Sequence, residues 1–226
     1  MGQPLFRYLK LVAAEVLNAV LPGWLNRIVI ATVDRCSREF MRSQKDKMLN
    51  GELYDPLDSQ LSAERRRARL LTKAFNDTSD DQQDERARLI KELIPAVGKG
   101  VWIEPPFYCD YGRNITLGDK VFFNFNCIVL DVAPVSIGSG VLFGPSVQIY
   151  AATHPLSAAG RRTGLEAGRA VEICDEVWVG GGAIICPGVR IGAGSVIGAG
   201  SIVTRNIPDG VLAAGNPCRV IRELGE

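Results

Sequence analysis

Aliphatic residues recur at every sixth position near the C-terminal end of the chain: Ile173, Val179, Ile185, Ile191, Ile197 and Val203. A helix repeats every 3.6 residues and a strand every two, so neither explains a step of six. The step fits a left-handed parallel β-helix, in which each hexapeptide forms one short face of a triangular prism and three faces complete a coil. Four positions after each aliphatic stands Val177, Ala183, Val189, Ser195, Ser201 or Ile207, mostly small enough to share a narrow interior. Two inward residues per hexad then build the core. Gly180–Gly182 and Gly198–Gly200 fall just after the aliphatic positions, where the chain turns a corner and a Cβ is awkward.

The same beat continues upstream. Leu117, Phe123 and Val129 carry it with Val121, Cys127 and Ala133 as small partners; Ile137, Phe143 and Ile149 carry it with Val141, Val147 and Thr153. Between these two sets the phase slips by two residues, near 132–135. The pattern predicts a mainly β chain, with a prism over 101–210 of roughly six coils at about eighteen residues each. Residues 154–170, polar and rich in glycine and arginine, break the hydrophobic pattern without changing its phase and read as a loop extruded from the prism. Residues 211–226 are left as a C-terminal tail.

Residues 44–100 carry helical periodicity. Ser62 is placed to cap a helix running through Phe75, and Asp80 or Asp81 to start another that ends before Pro95. The first 43 residues form an apolar helical extension: Leu5, Leu9, Val12, Val16 and Val20 share a helical spacing, Pro22-Gly23 interrupts it, and Trp24, Leu25, Ile28, Val29 and Val33 follow. A helical pair packed on the rest of the protein is the favoured reading, with contact to a membrane surface or a partner as its alternative. Glu15, Asn18, Asn26 and Arg27 leave no run long enough to span a bilayer, and Glu15 spoils a signal-peptide core.

A length of 226 residues with 46% apolar composition and a net charge of +1 describes one globular domain with appendages, not a nucleic-acid binder. The run Arg65-Arg66-Arg67-Ala68-Arg69 reads as a solvated helix face. The chain's 6 cysteines include no C-x-x-C pair, which suits reduced thiols in the cytoplasm better than a disulfide framework or a zinc site. His154, the only histidine, stands at Thr153-His154-Pro155, where the beat yields to the loop. An imidazole there suits proton abstraction at neutral pH, as readily as it suits a surface residue of no consequence.

Met48-Leu49-Asn50-Gly51-Glu52-Leu53-Tyr54, Glu104 to Gly112, Asn124-Phe125-Asn126-Cys127, Ala152-Thr153-His154-Pro155 and Gly215 to Arg222 together resemble the maltose and galactoside O-acetyltransferases of the hexapeptide-repeat acetyltransferase superfamily. The resemblance implies metal-free transfer of acetyl from acetyl-CoA to a hydroxyl of a sugar or similar small molecule, with His154 as general base. Acetylation of a non-sugar alcohol or amine, and a scaffold without activity, are its alternatives. By the same resemblance Asn124 orients the acceptor or the histidine, Glu166 holds the imidazole, and Asp55, Asp58, Asp110 and Asp131 meet acceptor hydroxyls. Gly181, Ala199, Thr204, Arg205 and Arg222 take CoA, and the family's trimeric state implies sites between neighbouring prisms. Without the resemblance, Asn124 is as readily a corner residue and Arg222 a terminal cation.

Overall fold

Three short parallel sheets form the sides of the molecule. Sheet I stacks Ala96–Val97, Ile115–Leu117, Val135–Ile137, Val171–Ile173 and Arg190–Ile191. Sheet II stacks Trp102–Ile103, Phe122–Phe123, Leu142–Phe143, Trp178–Val179, Val196–Ile197 and Val211–Ala214, and sheet III stacks Phe107–Cys109, Cys127–Leu130, Gln148–Tyr150, Ile184–Ile185 and Ile202–Val203. The chain visits I, II and III in turn, coil upon coil, which is the parallel β-helix expected. This computed structural model describes residues 42–225, so the apolar extension lies outside the described residues except for its last two positions.

The register explains the period of six. Leu117, Ile137, Ile173 and Ile191 are cross-strand partners in sheet I. Phe123, Phe143, Val179 and Ile197 are partners in sheet II, and Val129, Ile149, Ile185 and Val203 in sheet III. All of them are buried, so every sixth residue stacks on its equivalent one coil away. In the wider lower coils the column is aromatic: the Phe123 and Phe143 rings stack at 4.2 Å, and Phe107 meets Phe123 edge-on at 5.5 Å.

The corners differ. From sheet I to sheet II, side chains lace coil to coil: Asp119 Oδ1 accepts Lys99 N–H at 2.7 Å, Ser139 Oγ accepts Asp119 N–H at 3.0 Å, and Asp175 Oδ1 accepts Ser139 N–H at 2.7 Å. From sheet II to sheet III the backbone does the same, with Asn126 N–H to Pro106 O and Ser146 N–H to Phe125 O both 2.8 Å, and Gly200 N–H to Gly181 O 2.9 Å. The third corner, from III to I, absorbs the irregularities. Trp102 pairs with Phe122, Phe122 with Leu142, Leu142 with Trp178 and Trp178 with Val196. The first two coils thus carry two residues more than the eighteen between Trp178 and Val196, the loop adds to the third, and the last step, from Val196 to its partner Leu212, is two residues shorter; each difference lies between sheets III and I.

Three helices precede the prism: α1 (Gln44–Leu49), α2 (Ser59–Asn76) and α3 (Gln83–Leu93). The cap of α2 is Asp58 and not Ser62, because the Asp58 carboxylate accepts the N–H groups of Gln60 and Leu61 at 3.0 and 3.2 Å. α3 begins beyond Asp80 and Asp81; Asp80 instead pairs with the buried Arg86 at 2.8 Å. Ala68 and Phe75 of α2 and Leu89, Ile90 and Leu93 of α3 continue the prism's core. Asn76 bonds both the N–H (2.9 Å) and the C=O (3.0 Å) of Phe107, occupying the edge strand of sheet III. The solenoid also runs further than expected, from Ala96 to Ala214, after which Arg219–Glu223 returns antiparallel to Val211–Ala214. No helix among the described residues is long and apolar enough to cross a membrane.

Candidate active site

The extruded loop leaves the prism at the III-to-I corner through a two-rung antiparallel root, Ala152 opposite Gly168 and Thr153 opposite Ala167. His154 and Glu166 are the next opposed positions of that hairpin. Beyond them the loop holds a one-turn helix, α4 (Ala158–Arg161), capped by Ser157. His154 is exposed. Glu166 is not free to turn toward it without cost. Tyr54 bridges the outer side of Glu166 with backbone bonds of 2.9 and 3.1 Å, and its hydroxyl donates to Glu166 Oε2 at 3.0 Å. Burial, reinforced by this carboxylate, pushes the Tyr54 hydroxyl far above the usual phenol range. The carboxylate's bond therefore goes to Tyr54, and within one chain the structure records none from Glu166 to His154.

Below the root lies a polar cluster wrapped by Met48, Tyr54, Leu61, Tyr111 and Val132. Asp131 is fully buried. Its Oδ1 accepts the N–H groups of Asp110 and Tyr111 at 3.0 and 2.9 Å, its Oδ2 that of Asn114 at 3.3 Å, and its C=O the Asn114 amide at 2.7 Å. It staples one coil's enlarged corner to the next. Burial carries its carboxyl from an ordinary 3.8 to about 6, against the lowering effect of those N–H donors. Asp110 is half-buried, and among the described residues its carboxylate accepts no hydrogen bond. Burial raises its pKa, opposed by Arg65 and Arg69.

Arg65 is no part of a solvated face. Its guanidinium donates to the Tyr111 hydroxyl at 2.7 Å, to Pro56 O, and to Ser62 Oγ at 3.4 Å. Asp55 is exposed and closes a local turn by accepting Leu57 N–H at 2.8 Å, while Asp58 is spent on the cap of α2. The six-residue beat gave no hint of Tyr54, Arg65 or Tyr111, since none lies on it. Tyr54 and Tyr111 stand inside the Met48 to Tyr54 and Glu104 to Gly112 stretches, whereas Arg65 carries no signal of its own.

Asn124 stands at the II-to-III corner with its Oδ1 accepting Phe125 N–H at 2.7 Å; Gly180 and Gly198 hold the equivalent position in the upper coils, with Gly181 and Ala199 next to them at the same corner. The left-handed residue there is Asn126, at φ 62°, and not Asn124. A Cβ on Gly181 would meet Pro145 at 3.1 Å, and one on Gly182 or Gly200 would meet nothing within 4 Å, so this corner offers a bare backbone surface in its upper coils. Thr204 and Arg205 are exposed at the opposite edge of sheet III, on the same corner as His154, and Arg222 is exposed on the terminal hairpin beside sheet II. One chain thus brings together His154 with Glu166, and Asn124 with Gly181 and Ala199. It does not join the two sets, which lie on different corners.

Two family models match the chain: the maltose acetyltransferase hexapeptide capping motif over residues 47–98, and the bacterial transferase hexapeptide (six repeats) over residues 170–205. The solved maltose O-acetyltransferase from Clostridium difficile 630 is 46% identical, with a TM-score of 0.81, covering 82% of this chain and 99% of that one. This chain belongs to the maltose and galactoside O-acetyltransferase family. A galactoside acetyltransferase solved in complex with coenzyme A is 40% identical with a TM-score of 0.79, over 81% of this chain and 92% of that one. Nodulation protein L of Rhizobium meliloti (strain 1021) is 48% identical over 79% of this chain and 98% of its own length. For this O-acetyltransferase the capping motif overlaps α1 to α3, with Tyr54 on the link between α1 and α2 and Arg65 on α2. Among the described residues no group of three His, Cys, Asp or Glu side chains stands together as a metal site.

Proposed function

We propose that the chain moves the acetyl group of acetyl-CoA to a hydroxyl of a sugar or a similar small acceptor, by direct attack, with His154 as the general base. The observation that carries this is the placement of the sole histidine: exposed at the root of the extruded loop, opposite a carboxylate, on the same corner as a half-buried Asp110 whose carboxylate accepts no hydrogen bond among the described residues. Acetyl-CoA supplies a thioester carbonyl. The bare backbone of Gly181 and Ala199 suits the pantetheine arm, and Thr204, Arg205 and Arg222 suit phosphates, Arg205 and Arg222 by charge and forked donors. His154 accepts the proton of the acceptor hydroxyl, and Asn124, whose amide N–H groups make no hydrogen bond among the described residues, orients the acceptor or donates toward oxygen where charge develops. Asp110 accepts acceptor hydroxyls.

A homotrimer belongs to the same proposal. The outward positions of sheet I are Thr116, Ser136, Glu172 and Arg190, whereas those of sheet II are Trp102, Phe122, Leu142, Trp178 and Val196, with Trp178 55% exposed. An apolar column of that kind supports a neighbouring copy seated on sheet II. A heterologous contact of this sort closes into a ring and lets the His154 corner of one chain face the Asn124 corner of the next. A cytoplasmic place of action accords with the free thiols of Cys109, Cys127, Cys174, Cys186 and Cys218.

The test follows CoA release from acetyl-CoA with a thiol-reactive dye, over glucosides, galactosides and maltose, for the wild type and His154→Ala. The expected outcome is turnover that falls by about 10²–10⁴-fold in the variant while acetyl-CoA binding is kept. Undiminished turnover in His154→Ala removes the histidine from the chemistry.

A further inference from the structure

We propose that the groove between α2 and the outer face of sheet III is a second saccharide subsite, opening next to Asp110, and that the preferred acceptor is a glycoside of two or more rings. This rests on Asp110 contacting the acceptor as set out above. The groove has a volume of about 460 Å³ and is lined by Arg69 and Lys73 of α2 on one side and by Tyr108, Ile128 and Leu130 of sheet III on the other, with Asp110 at the junction.

Three features select a sugar. Tyr108 is 47% exposed on the outer face of the prism's first coil, beside its cross-strand partner Ile128, and its hydroxyl makes no hydrogen bond among the described residues. An exposed aromatic ring flanked by aliphatic surface suits the apolar face of a pyranose, and the free hydroxyl suits its rim. The Asp110 carboxylate, half-buried without a donor, is a group that hydroxyls would satisfy. The charges cancel in pairs: Lys73 bonds Asp77 at 2.5 Å, and Arg69 acts on Asp110. The charged lining residues are two cations, Arg69 and Lys73, and two anions, Asp77 and Asp110, so a neutral polyol fits the groove better than an anionic ligand. Asn76, bonded to both backbone groups of Phe107, holds α2 at a fixed distance from the sheet and keeps the groove open as built.

The experiment compares glucose and galactose with maltose and lactose as acceptors for the full chain, using CoA release for kinetics. In parallel, calorimetric titration of the same sugars into CoA-saturated His154→Ala protein measures binding without turnover. The expected result is a lower KM and tighter binding for the disaccharides. Tyr108→Ala should raise disaccharide KM and Kd about tenfold and leave kcat and the monosaccharide constants unchanged, and Tyr108→Phe, which keeps the ring but not the hydroxyl, should restore most of the disaccharide affinity. Tyr108 lies outside the core, so an unchanged melting temperature is expected to accompany these effects. Tyr108-dependent binding of disaccharide without turnover of any sugar would keep the subsite and overturn the acetyl-transfer reading instead. Equal effects on one-ring and two-ring sugars, no disaccharide preference in the wild type, or no saccharide binding at all would each overturn the subsite.

Discussion

Asp131→Asn should change how stability depends on pH, and in an unusual direction. In the folded chain burial lifts this carboxyl from 3.8 to about 6 even though three backbone N–H groups point at it. The native state therefore binds the proton more tightly than the unfolded chain, which stays near the ordinary value. Between those two values the native form holds more protons than the unfolded one, so the contribution of Asp131 to stability is present below pH 4 and is lost as pH rises through 6. A shift of about two units corresponds to about 3 kcal/mol, of which about 2–3 kcal/mol falls between pH 4 and pH 7.5. Asparagine keeps an oxygen for Asp110 and Tyr111 N–H but does not titrate, and its amide must face Asn114 N–H. Urea unfolding of both proteins at one fixed protein concentration, pH 4 to 7.5, isolates the effect, since groups that do not interact with Asp131 cancel in the difference. The wild type should lose about 2–3 kcal/mol relative to the variant over that interval. A difference that is flat, or that grows in favour of the wild type with rising pH, would refute the reasoning and mean that the three donors outweigh burial.

Two further outcomes check the fold and the revised roles. Asp58→Ala should cost about 1 kcal/mol of stability, as loss of a helix cap does, with no change in acceptor KM; a raised KM at unchanged melting temperature would return Asp58 to the acceptor site. Gly180→Ala would place its Cβ 2.5 Å from Ala199 N and 2.9 Å from Ile197 O, so it should lower the melting temperature by several degrees, on the scale of 1–3 kcal/mol for overpacking (roughly); an unaltered melt would show that coil spacing does not demand glycine there.

The repeat was legible because inward positions obey one rule: each must stack on an equivalent residue one coil away, and the sequence records that constraint as a period. Even the two-residue slip at 132–135 was visible, and it marks the corner where the register between Val129 and Ile137 lengthens. What the period could not reveal is what happens between coils. The three backbone N–H groups that Asp131 accepts had no sequence signal, because its donors sit in the preceding coil, at Asp110, Tyr111 and Asn114, with nothing nearby in sequence to announce them. Arg65 was hidden by its neighbours: four arginines in five positions read as a solvated face, although one of them reaches Tyr111 in the prism. Ser62 and Asp58 are both good caps, and only the path of the chain before α2 chooses between them. The separation of His154 from Asn124 was likewise invisible, since it depends on which corner each hexad turns.

The unequal corners have an evolutionary and practical consequence. Two of them are tied from coil to coil by regular bonds that a length change would break, whereas the third already carries two-residue expansions in its lower coils and an entire loop in the middle. Variation in length is thereby channelled to a single edge of the molecule, the one that bears His154, so new loops can be tried beside the reacting group while the stacking of the other two edges is left untouched. An engineer seeking to graft a specificity loop onto this scaffold would insert at 186–188, a short turn of that same edge, and leave the laced corners alone.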